Sequence, residues 1–291
     1  MAEHPEVVFV GGVAHSGSSL VAGLLEAHPR LKPLSVAAPF HTDARGLPAL
    51  LAGQVGLDDF VGGFPERWSN GAGALGSSSD SSVLEGELGR FREAYHRDPL
   101  SACRALFVSL AVPQGEGGGL VDTSPGNLRQ AQTLVRLLPD ARFVHVVRDG
   151  RDVAASPAER DAMRLGAGIR DWAGSLREID AAIRGEEDGA AHPVRGDRLA
   201  VVVLDRLVAG EGETPYDALL RTLDLEDDPA MRSFGDQRLT PGEVGRGRWR
   251  ERARGPAAWG VDRRYRRTLD ELAREGNHAA GPLVDAYEEL G

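Results

Sequence analysis

The stretch Val7-Val8-Phe9-Val10-Gly11-Gly12-Val13-Ala14-His15-Ser16-Gly17-Ser18-Ser19-Leu20 joins three signals. Val7 to Val10 is a short β-branched and aromatic run closed by two glycines, which reads as a buried parallel strand. Leu20, Val21, Leu24 and Leu25 then recur at helical spacing, and Pro29 closes that helix. Between strand and helix, Gly12 and Gly17 stand at the spacing of a phosphate-binding loop, G-x-x-x-x-G-K-[ST]. Glycines there let backbone N–H groups crowd an anion, and the helix N-terminus adds its dipole. Ser16, Ser18 and Ser19 can add hydroxyl donors. Ser18 occupies the lysine position of that motif, which disfavours a site built to grip the β- and γ-phosphates of a nucleoside triphosphate.

Outward from this unit the chain repeats the alternation. Phe143 to Val147 and Leu199 to Leu204 read as further buried strands. Leu128, Ala131, Leu134, Val135 and Leu138 mark one helix face, and Ile169, Trp172, Leu176, Ile179 and Ile183 mark a longer one. Tyr216 to Leu225 reads as a helix, and the arginine-rich stretch Arg246 to Arg267 precedes a C-terminal helix. Strands alternating with helices predict an α/β fold, a P-loop-like three-layer sandwich with a central parallel sheet flanked by helices. Segments near 69–82, 114–119 and 186–191 read as loops, the first because its Gly/Ser composition cannot bury a core. No linker divides the chain, so residues 1–291 read as a single domain.

Composition narrows the function. The chain has 34 basic and 44 acidic side chains, a net charge of −10, which argues against a general nucleic-acid binder. No apolar run approaches the roughly 20 residues that span a bilayer, and the start Met-Ala-Glu-His-Pro-Glu lacks a basic n-region. Cys103 is the single cysteine, so no intrachain disulfide forms and a cytoplasmic location is expected. Lys32 is the single lysine. Any phosphate site must therefore use arginine, histidine or backbone amides.

A second motif is Val147-Arg148-Asp149-Gly150-Arg151-Asp152-Val153-Ala154-Ala155-Ser156. It places Arg148 where an apolar strand ends, at the crevice in which open α/β sheets bind ligands. A guanidinium there can hold a phosphate bidentately.

Taken together, these motifs resemble the sulfotransferase superfamily, whose donor is 3′-phosphoadenosine 5′-phosphosulfate (PAPS). The pattern is similar to tyrosylprotein sulfotransferases and their bacterial relatives. Val8 to Leu20 resembles the 5′-phosphosulfate loop of that family, and Leu25-Glu26-Ala27-His28-Pro29 continues it. Val147 to Ser156 resembles the 3′-phosphate motif, in which the first arginine and the serine eight residues later hold the phosphate. Asp122-Thr123-Ser124-Pro125-Gly126-Asn127 resembles the family's Glu-Lys-Thr-Pro-Gly-Asn segment. Gly247-Arg248-Trp249-Arg250, with Trp259-Gly260, resembles the late loop that covers the cofactor. The resemblance implies that His15, Ser16, Gly17, Ser18 and Ser19 hold the phosphosulfate. It likewise implies that Arg148 and Ser156 hold the 3′-phosphate, and that Arg248 and Trp249 close over it. No metal is implied, and no histidine pair has metal-ligand spacing.

The chain departs from the family in three places. His15 stands where the loop usually carries Arg or Lys, Thr123 replaces the lysine of the Glu-Lys-Thr-Pro segment, and Val36 falls near the catalytic glutamate of the tyrosylprotein enzymes. An imidazolium at His15 can still donate to the leaving phosphate oxygen. For a base the candidates are His41, Asp122, Asp43 and Glu26, with His41 in the region that usually faces the acceptor. Without the tyrosylprotein-type glutamate, a small-molecule acceptor, including a natural product, is expected rather than a protein tyrosine. A P-loop small-molecule kinase and a nucleotide-binding relative without catalysis are the alternatives. His145 reads as sheet packing, and His278 as a histidine in polar context.

Overall fold

The computed structural model describes residues 6–34, 39–69, 81–111, 118–156, 165–185, 192–210 and 214–290. Five strands, β1 (Val7–Gly12), β2 (Leu31–Pro33), β3 (Gly119–Asp122), β4 (Arg142–Val147) and β5 (Leu199–Val203), form one parallel sheet in the order β2-β3-β1-β4-β5. Each crossover between parallel strands carries helix, which is why the strands read as continuous apolar runs rather than alternating ones. Val7 and Phe9 pack on one face with Phe107, Phe143, Ile169, Trp172 and Tyr265. Val8 and Val10 pack on the other with Val21, Leu24, Val144, Val146 and Leu219. The expected α/β three-layer sandwich is the observed fold.

Some boundaries differ from the sequence reading. Gly119 opens β3 instead of ending a loop, because Leu120 and Val121 are apolar enough to fill an interior strand. Leu204 starts a helix, Leu204–Ala209, directly after β5. The arginine-rich stretch precedes the C-terminal helix Ala280–Leu290, as expected, and is itself helical at Trp249–Arg252 and Pro256–Arg274. In the second helix Tyr265, Leu269 and Leu272 turn inward while the arginines remain outside. The loop expected near 69–82 is bounded by the helices Leu57–Ser69 and Ser81–Tyr95. Residues 70–80, 112–117 and 186–191 lie outside the described residues, as does Val36.

Parallel strands place all their C-terminal ends on one edge. The chain leaves β1 toward β2 and β3 on one side, then returns to β4 and β5 on the other. The edge above β1, β3 and β4 is therefore the topological switch point, where open α/β sheets bind ligands. The loops after Gly12, Asp122 and Val147 all emerge there.

The core also holds an ionisable chain. His145 of β4 is fully buried, and its Nδ1 lies 2.7 Å from Nε2 of His278. Nδ1 of His278 lies 2.5 Å from Asp180 Oδ1, and Asp180 also pairs with Arg184 at 3.0 Å. His278 keeps the polar context read from the sequence, with its side chain 18% exposed and bonded to Asp180 and His145. Burial, with His278 beside it, holds His145 well below the usual imidazole range, and burial also lowers His278. Their unfolded forms take up protons first as pH falls through about 6.5, so stability present above that pH is lost below it. Burial raises Asp152 and Asp205, which act in the opposite direction at acid pH. Denaturant midpoints at pH 7 and 5 should therefore fall less for His145→Asn than for the parent, and equal falls would contradict this.

Candidate active site

The loop between β1 and the helix Ser18–Glu26 is shaped by its glycines. A Cβ on Gly12 would collide with the carbonyl of Val146 and the hydroxyl of Ser16. Gly17 sits at φ 89°, in the left-handed region, and caps the helix without a side-chain bond. Its carbonyl accepts from Leu20 and Val21, so the helix begins sharply. Its first amides, which have no partner inside a helix, end at the loop. His15 lies at φ 65° and is exposed, as Ser19 is, whereas Ser16 is buried. Ser16 Oγ has no hydrogen-bond partner. A buried unsatisfied hydroxyl costs free energy, which a bound acceptor or donor would recover.

Arg148 leaves the end of β4 and reaches this loop. Its Nη1 donates to the carbonyl of His15 at 3.4 Å, and its Nη2 donates to the carbonyls of Val244 at 2.5 Å and Gly245 at 3.0 Å. The side chain is 8% exposed and its Nε is unpartnered. Ser156 is equally buried, just past the short helix Gly150–Ala154. Its amide bonds to Val153 and no described hydrogen bond joins it to Arg148. The second arginine of the motif has a different place. Arg151 is bound by Asp149 and Asp262 and packs its guanidinium on Trp249 and Tyr265, each at 4.7 Å.

The late segment is clamped from both sides. Arg148 holds its carbonyls, while Asp152 accepts from the amides of Gly247 at 2.7 Å and Trp249 at 3.0 Å. Burial, with Asp149 adding to it, pushes the Asp152 carboxyl up to about 6. A Cβ on Gly245, at φ 66°, would collide with the guanidinium of Arg248, so both Arg148 and Arg248 converge on this turn. Trp249 is 4% exposed and faces Arg151. Its indole therefore supports the segment from beneath. Asp152 carried no distinctive sequence signal beyond its place in the second motif.

The third wall comes from the segment after β3. Asp122 accepts from His41 Nε2 at 2.6 Å through one oxygen, and from Ser124 N at 3.0 Å and Oγ at 2.7 Å through the other. Burial alone would raise its carboxyl, but the bonds from His41 and Ser124 hold it below the usual range. His41 is wholly buried among Phe9, Phe40 and Phe107, with Nδ1 unpartnered. Asn127 Nδ2 donates to the carbonyls of Val10 at 3.1 Å and Asp122 at 3.0 Å, tying β1 to β3 where they end. Asp43 and Glu26, the other candidate bases, are exposed. A cavity of ≈ 290 Å³ lies between this segment and the first loop, with Gly12, Ser18, Ser19, Thr123, Ser124 and Arg129 on its walls. His41 and Asp122 stand behind the wall that Ser124 forms.

The donor expected from the motifs is tested by these features. The buried unpartnered Ser16 Oγ and Arg148 Nε fit an anionic group at the first loop. Among the described residues no group of three or more His, Cys, Asp or Glu could hold a metal, and no helix is long and apolar enough to cross a membrane.

Residues 5–201 match the sulfotransferase family, and the chain belongs to that family. It is 27% identical over 178 residues to protein-tyrosine sulfotransferase 1 of mouse, and equally to that of human, across 61% of this chain and 40% of each relative. The Drosophila melanogaster protein-tyrosine sulfotransferase is 23% identical over 202 residues, 69% of this chain and 35% of its own. The chain thus spans less than half the length of these relatives. Among solved structures, the sulfotransferase domain of the Synechococcus olefin synthase superposes with a TM-score of 0.49 at 17% identity, covering 93% of this chain and 96% of that one.

Proposed function

We propose that this chain transfers a sulfuryl group from PAPS to a hydroxyl or amine of a small-molecule acceptor, a natural product among the candidates, and releases 3′-phosphoadenosine 5′-phosphate (PAP). The observation that carries this reading is the meeting of two phosphate motifs. Arg148 of the second motif bonds to the His15 carbonyl of the first, although 133 residues separate them. PAPS, when bound, supplies the sulfuryl group and a phosphate leaving group that gains charge as transfer proceeds. Ser16, Ser18, Ser19 and the amides of the first helical turn would hold its phosphosulfate, with His15 at the loop tip as a further donor. Arg148 and Ser156 would hold the 3′-phosphate beneath Arg248, and Trp249 would keep that segment in place.

The chemistry asked of the protein is modest. A sulfuryl transfer passes through a loose transition state much like phosphoryl transfer, so positioning and charge stabilisation account for most of the rate. Donors fixed by the backbone need no reorganisation as the leaving phosphate gains charge. His41 and Asp122 serve by setting the turn Thr123–Asn127 that walls the cavity. A base role for His41 would fall to its unpartnered Nδ1. An acceptor amine or acidic phenol needs little base assistance. In this reading residues 1–291 act as one catalytic unit in the cytoplasm, and the segments near 69–82 and 114–119 select the acceptor.

The test is PAP release from PAPS, followed by chromatography, with a panel of phenols, alcohols and amines and a tyrosine peptide as comparison. Acceptor-dependent PAP release with small molecules is expected. Release with the tyrosine peptide alone would overturn the acceptor class, and tight PAP binding without turnover on any acceptor would indicate a relative that has lost catalysis.

A further inference from the structure

The first loop, Val13 to Ser19, contains no lysine or arginine. Arg129 is the one charged residue lining the cavity beside it among the described residues. It follows Asn127 and Leu128, which are fixed against the ends of β1 and β3. Its Nε donates to Glu178 at 3.0 Å. Among the described residues no acceptor takes its Nη1 or Nη2, so two faces of the guanidinium remain for a ligand. The Arg129–Glu178 pair is open to water, with side-chain exposures of 40% and 64%, and such pairs contribute little. An anion entering a cavity otherwise lined by glycines, hydroxyls and apolar side chains would compete with Glu178 easily.

We infer that Arg129 is the cationic contact for the sulfuryl oxygens of the donor, in place of a basic residue in the loop. This rests on the proposed donor site. The loop lines the same cavity as Arg129, with Ser18 and Ser19 at the start of its helix. A group held there by its phosphate extends its sulfuryl end into the cavity. PAP lacks those oxygens, so Arg129 should distinguish PAPS from PAP, whereas the loop and Arg148 should bind both.

The experiment is titration calorimetry of PAPS and of PAP with the parent chain, Arg129→Gln and Arg129→Lys. Arg129→Gln should weaken PAPS by about tenfold, the scale of one charge-assisted contact, and leave PAP within about twofold. Arg129→Lys should recover part of the PAPS loss. Unchanged affinity for both ligands in Arg129→Gln would leave only a surface ion pair with Glu178 and overturn the inference. An equal loss for PAPS and PAP would also overturn it, by moving the charge to the nucleotide. Failure of the parent chain to bind either ligand would instead refute the donor site itself, whatever Arg129 does.

Discussion

Arg148→Ala should lower the affinity for PAP by roughly 100-fold or more, the scale expected when a bidentate charged contact to phosphate is lost. The side chain is 8% exposed and bridges the first loop to the turn at Val244 and Gly245. Its carbonyl partners are neutral. A phosphate would exchange those bonds for charge-assisted ones and reach the unpartnered Nε. Alanine also frees the turn that Asp152 holds from the other side. Calorimetric titration beside a denaturation curve separates the two effects. A folded variant with unchanged PAP affinity would remove Arg148 from the site.

Asp122→Ala should destabilise the fold by about 3–5 kcal/mol, the range for removing one partner of a buried pair. His41 is wholly buried, and its Nδ1 already lacks a partner. Alanine would strip its Nε2 as well and release both donors of Ser124. The ionised carboxylate is the favoured form here, since its bonds outweigh burial and depress its pKa. That contribution is present above the unfolded carboxyl's pKa of about 3.9 and is lost as pH falls through the lower folded value. Urea unfolding at pH 7 measures the loss, and a change below about 1 kcal/mol would place Asp122 among ordinary surface carboxylates. Asp122→Asn should cost less, because the amide oxygen can keep one of the donors.

Much of this was legible in the chain. Val7–Gly12 and Arg142–Val147 are buried on both faces, so their apolar runs announced a parallel sheet without alternation. The glycine spacing announced the turn, because only glycine escapes the collisions at Gly12 and the φ of Gly17. His41 and Asp122 were both singled out as candidates, but their pairing across 81 residues depends on the fold and had no local signature. Arg148 and Arg151 stand three residues apart in the second motif, and only the first was singled out, by its place at the strand end. One ends at a loop carbonyl, and the other lies between two carboxylates and an aromatic cage. β2 and β3 were hidden because strands of three and four residues carry too little pattern to register. The three helices from Leu57 to Ala111 were likewise missed, since a Gly/Ser-rich stretch interrupts them and Pro65 lies within one.

The central claim is that the first loop and Arg148 form one site for an adenosine bisphosphate. Thermal unfolding with and without PAP, with ATP–magnesium as control, tests it most directly. A ligand at ~100 times its Kd adds roughly 2.7 kcal/mol to the folded state, a rise of several degrees in Tm. That rise is expected with PAP, and little with ATP–magnesium. A rise with ATP–magnesium alone would point to a kinase, and no rise with either would contradict the assignment of the site.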